Sequence, residues 1–98
     1  MMNDEEADRR MVMIYTYQHA YDYYDKLLGM AMPMIIDLIS LEQEDEFELC
    51  IDVKYKLHTL IKKYSRMIAA LTSLKVKEVE ELIHYTITEL TKTLRDNG

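Results

Sequence analysis

Only Gly29 and Pro33 interrupt the chain before its terminal Gly98, and this scarcity constrains the fold more than any other feature. Hairpins and sandwiches need glycine, proline or asparagine turns at short intervals. Long helices are what remains, and the apolar residues follow the helical period. Leu49, Cys50, Val53, Leu57, Leu60, Ile61, Tyr64, Met67, Ile68 and Leu71 share one arc of about 120° when each residue advances about 100°. No charge interrupts that arc. Val76, Val79, Leu82, Ile83, Ile87, Leu90 and Leu94 repeat the pattern, and Thr86 and Thr93 on the same arc are small enough to sit at a helix contact. Two stripes of this length predict an antiparallel hairpin, joined near Thr72–Leu74.

These signals define a single all-α domain over residues 1–98, with residues 1–3 expected to be disordered. The expected fold is a small bundle of three long helices and one short apolar one. Helix 1 is expected over 4–28, capped by Asn3 or Asp4 and stopped at Gly29. Pro33 fits the first turn of a short helix over 33–41. Helix 3 is expected over 45–71, with Asp45 and Glu48 as a capping pair. Helix 4 is expected over 75–95, with Ser73 near its start and Gly98 past its end. The apolar arc of helix 3 would carry Glu42, Gln43 and Glu46 if extended backward, so a bend or short loop is expected within residues 42–45.

Five of the eight tyrosines lie between Tyr15 and Tyr24. On one helix they divide between two faces. Met13, Ile14, Tyr17, Ala20, Tyr21, Tyr24, Leu27 and Leu28 form the expected core arc. Val12, Tyr15, His19 and Tyr23 line the opposite side, continued by Met30 and Met34. A helix apolar on two sides is buried on two sides, and tyrosine and methionine suit protein interfaces. The second face is therefore expected to be an interface, with a homodimer or a protein partner as its occupant.

Charge is distributed unevenly. Residues 1–53 hold thirteen Asp or Glu against three Lys or Arg, a balance of −10, whereas residues 54–98 carry +4. Lys54, His58, Lys62 and Arg66 form a basic ridge at i+4 spacing, with Tyr55 beside it. Basic residues interleaved with aromatics can hold phosphates and stack bases. Yet the chain is acidic overall, and Glu78, Glu80 and Glu81 open helix 4. Nucleic-acid association is thus the runner-up. The ridge is expected to face the acidic helix 1 or the acidic turn near residues 42–46, in the same or a neighbouring subunit.

No enzyme chemistry is expected. Glu81 and His84 have the E-x-x-H spacing of di-iron bundles, and His19 with Asp22 offers a second pair. Such ligands must point into the bundle, and here the phases disagree, with His84 beside Lys77, Glu80 and Thr88 on the polar side of helix 4. No metal and no cofactor is therefore expected, and a metal-dependent bundle enzyme using His19, Glu81 and His84 ranks third. Cys50 lies on the core arc with no base beside it, and the glycines are too far apart for a phosphate loop. A single cysteine cannot form an internal disulfide, which points to a reducing, cytoplasmic setting. The most apolar run, residues 27–41, contains Asp37 and is too short for a membrane span. The expected function is non-catalytic: a self-associating interaction module acting as a small regulatory, accessory or inhibitor protein.

Overall fold

The computed structural model of the protein describes residues 2–97. Met1 and Gly98 lie outside them, and with them the expected stop at Gly98. The described residues form an all-α bundle of four helices. These are α1 (Asp4–Thr16), α2 (Gln18–Gln43), α3 (Phe47–Leu71) and α4 (Val76–Asn97). Three long helices and one short one are present, but the short one comes first and is charged, not apolar.

Asn3 caps α1: its Oδ1 accepts from the Glu6 backbone N–H at 2.9 Å. Beside it Met2 is partly buried against the core. The helix then ends at Tyr17, whose extended backbone (φ −111°, ψ 106°) corrects the expected helix over 4–28. Arg10 bonds to α4 at Glu78 and Glu81, while Asp4 accepts from the Tyr85 hydroxyl further along α4. So α1 runs antiparallel to α4. Tyr24 meets Thr86 and Glu42 meets Arg95, so α2 runs parallel to α4. The chain therefore reverses direction at Tyr17.

That reversal disposes of the two-sided helix. Ala7, Arg10 and Ile14 are the buried stripe of α1; Ala20, Tyr24, Leu27, Ala31 and Ile35 are that of α2. With the chain turned at Tyr17, both stripes contribute to one core. Val12, Tyr15, Thr16 and Tyr17 are β-branched or aromatic, with weaker helix propensity, which makes this the least costly place to turn.

The expected stop at Gly29 and start at Pro33 are also overturned, since α2 passes through both. A proline inside a helix removes one hydrogen bond and crowds the carbonyl four residues earlier, at a cost of about 3 kcal/mol. That carbonyl belongs to Gly29, and both residues are exposed, so water can serve it. On the other side Leu27, Ala31 and Ile35 are fully buried. Burying Leu27 and Ile35 alone stabilises by about 1.5–3 kcal/mol each, enough to offset the proline.

The expected break between helices 2 and 3 is present at residues 44–46. Asp45 has φ 58°. The Glu46 N–H bonds the Leu41 carbonyl at 3.0 Å and the Asp45 N–H bonds that of Glu42 at 3.3 Å, the paired bonds of a Schellman stop. Asp45 thus ends α2, and the Asp45–Glu48 capping pair is not formed; Glu46 precedes α3 without a side-chain cap. The α3–α4 hairpin is antiparallel, as expected. Its connection is held by Thr72, whose Oγ1 accepts from the Leu74 N–H, and by Glu78, whose Oε1 accepts from the Lys75 N–H at 3.0 Å. Ser73 lies in this connection, close to the start of α4 at Val76.

The core joins both stripes of α1 and α2 to Leu57, Ile61, Tyr64 and Ile68 of α3 and Val79, Leu82, Ile83 and Ile87 of α4. Cys50 is buried, and so is Ser65, which the expected arc omitted. Leu49, Leu71 and Val76 lie at the rim, exposed, and Thr93 bonds its own helix at the surface. Among the described residues no helix is long and apolar enough to cross a membrane.

Candidate protein-interaction surface

The tyrosines occupy three environments. Tyr24 is buried, and its hydroxyl lies 2.8 Å from Thr86 Oγ1. Thr86 donates its own proton to the Leu82 carbonyl at 3.0 Å, so Tyr24 is the donor. Burial pushes the Tyr24 phenol above its ordinary pKa. Tyr21 is half-buried and stacks on Tyr15, centroids 4.8 Å apart. Tyr17, expected in the core, is 42% exposed because it is the corner residue.

The expected interface of Val12, Tyr15, His19, Tyr23, Met30 and Met34 is not one face. Tyr23, Met30 and Met34 are partly buried against the chain's own core, with Tyr23 edge-on to Tyr64 at 6.2 Å. Val12, Tyr15 and His19 are exposed at the α1–α2 corner. The reversal at Tyr17 places Val12 and Tyr15 on α1, whereas His19 shares α2 with Tyr23, Met30 and Met34.

Arg10 was not singled out by its sequence position, yet it ties α1 to α4. It is 7% exposed. Its Nη1 donates to the Glu78 carbonyl at 3.0 Å and to Glu81 Oε2 at 3.2 Å, with Glu6 at 3.7 Å. The signal for it was its place on the Ala7–Ile14 stripe. Glu81 is thereby engaged, and His19 lies at the α1–α2 corner, so the proposed metal trio is not assembled. Among the described residues no three His, Cys, Asp or Glu side chains are grouped to hold an ion. His84 instead faces His58 across α3 and α4, rings 6.1 Å apart.

The outward side of α3 leaves large apolar side chains uncovered. Phe47, Ile51 and Tyr55, at i, i+4 and i+8, are 64%, 66% and 72% exposed. Beyond them lies an open groove of about 580 Å³, lined by Tyr55, His58, Thr59, Lys62, Lys63, Arg66 and Met67. The basic ridge of Lys54, His58, Lys62 and Arg66 is exposed throughout. The ion pairs among the described residues join Arg10 to Glu6 and Glu81, and Arg95 to Glu42. The ridge therefore does not neutralise the acidic half within the chain, which removes the same-subunit form of that expectation. Lys63 leans over the Tyr64 ring at 6.0 Å, near the limit of a cation–π contact. Apolar rings beside unpaired cations form a surface able to bury area and attract carboxylates together.

Comparison with protein-family models, with curated proteins and with solved structures finds no match for this chain.

Proposed function

We propose that this all-α bundle is a non-catalytic protein-interaction module, a small regulatory, accessory or inhibitor protein that acts by occupying a partner's surface. The observation that carries the reading is the exposed Phe47–Ile51–Tyr55 ridge, continuous with unpaired cations on one rigid helix. Three large side chains so exposed are an interaction surface in waiting. The cations select an acidic partner and speed its encounter. A single free thiol fits work in a reducing compartment such as the cytoplasm.

A photo-crosslinking amino acid at Tyr55 tests the reading in cells. A saturable adduct is expected there, lost in the Ile51→Asp background and absent when the probe replaces Lys92 on α4. Equal labelling at both positions would remove α3 as the recognition surface. Tyr55 amid Lys62, Lys63 and Arg66 also supports the nucleic-acid reading. Glu48 and Asp52 share that face and oppose it. A salt-sensitive mobility shift of labelled RNA or DNA, abolished by Lys62→Glu with Arg66→Glu, would bring it forward.

A further inference from the structure

The exposed seam of α3 carries a pattern that names its own partner. Glu48, Asp52, Tyr55, Thr59, Lys62 and Arg66 are all exposed. Their spacing alternates four and three residues, the interval that keeps side chains in line along a helix–helix contact. Read from its N-terminal end, the seam is acidic, then neutral, then basic. We propose that this seam pairs with that of a second copy of the chain, the two α3 helices antiparallel.

The register follows from the charges. Placing Glu48 opposite Arg66 of the second copy sets Asp52 opposite its Lys62 and Tyr55 opposite its Thr59. Every seam position then meets a complement, and the two-fold axis repeats each contact. A closed dimer requires this self-complementarity. A parallel arrangement would set acid on acid and base on base. Ile51 and Phe47 flank the seam and lose water as the helices approach. The copy supplies the carboxylates that the cations of α3 lack within their own chain. This moves the expected homodimer from the tyrosine face of α1 to α3. It also deepens the reading above, on which it rests, by identifying the acidic partner.

Sedimentation velocity across a concentration series tests it. The chain should pass from monomer to dimer, with a dissociation constant that rises about tenfold or more as salt screens the pairs. One variant carries Glu48→Lys with Asp52→Lys, a second Lys62→Glu with Arg66→Glu. Each should remain helical by circular dichroism and monomeric alone. Mixed in equal amounts, they should form a salt-sensitive heterodimer, because one seam is then wholly basic and the other wholly acidic. Wild-type protein that stays monomeric at millimolar concentration would overturn the proposal, as would variants that still self-associate or a mixture that does not. If the native chain is monomeric while the Tyr55 crosslink captures a different protein, self-pairing falls and α3 remains the binding surface. If neither association nor a specific crosslink occurs, both readings fall.

Discussion

Thr86→Val should destabilise the bundle more than Tyr24→Phe, although both remove the same hydrogen bond. The Tyr24 hydroxyl donates to Thr86 Oγ1 at 2.8 Å, and Thr86 is itself satisfied by donating to the Leu82 carbonyl. Tyr24→Phe removes one donor and leaves Thr86 with its main-chain bond, so the loss is that of an ordinary hydrogen bond, about 0.5–1.5 kcal/mol. Thr86→Val keeps the shape of the side chain but strands a phenol hydroxyl on a residue only 6% exposed. Stranding a buried donor costs about 1–3 kcal/mol. In the double variant the donor and its acceptor are both gone, so its loss should fall below the sum of the singles by about 1 kcal/mol. Urea unfolding followed by circular dichroism measures all three, and in a domain this small 1 kcal/mol shifts Tm by about 4–8 °C. The reasoning is falsified if the two losses simply add, or if Tyr24→Phe is the costlier change. Either result would mean that water reaches the hydroxyl.

Gly29→Ala should stabilise the fold by about 0.5–1 kcal/mol, because an added Cβ at Gly29 meets no atom within 4 Å and the residue lies inside α2; a loss in thermal melting would restore Gly29 as a helix stop. Asp45→Gly should raise the urea midpoint by the equivalent of up to about 1 kcal/mol, since Asp45 holds φ 58° where glycine carries no side-chain penalty. Alkaline pH should destabilise the native state through Tyr24. Burial raises its folded pKa above the unfolded value, so this stability is complete below about pH 10 and is lost as pH rises further. Tyr24→Phe should flatten that part of the stability–pH curve, and an unchanged slope would show the phenol to be solvated.

What was legible in the sequence was whatever one helix decides for itself. The uncharged stripe from Leu49 to Leu71 predicted the inner face of α3 except at its two exposed ends, the broken phase at Glu42–Glu46 predicted the turn before it, and Asn3 was one of two residues named as the cap of α1. Each rests on periodicity or on bonds within a few residues, so the information is local. The outward side of α3 was readable in the same way, yet only the basic ridge of Lys54, His58, Lys62 and Arg66 stood out. Phe47, Ile51 and Tyr55 are ordinary apolar residues until the fold leaves them uncovered.

The tertiary structure decided the rest. Gly29 and Pro33 are local stop signals, but their cost of a few kcal/mol is offset by Leu27, Ala31 and Ile35 packing on one line against α3. No glycine or proline marks the reversal at Tyr17. Its local trace is weak, the β-branched and aromatic residues Val12, Tyr15, Thr16 and Tyr17; what it gains is a core shared by Ile14 of α1 and Ala20 of α2. Arg10 is buried because the reversal lays α1 on α4, where Glu78 and Glu81 receive its guanidinium. Turning the chain costs a single residue its helical geometry, whereas the packing it permits is shared by every element, and that imbalance is visible only when all four helices are in place.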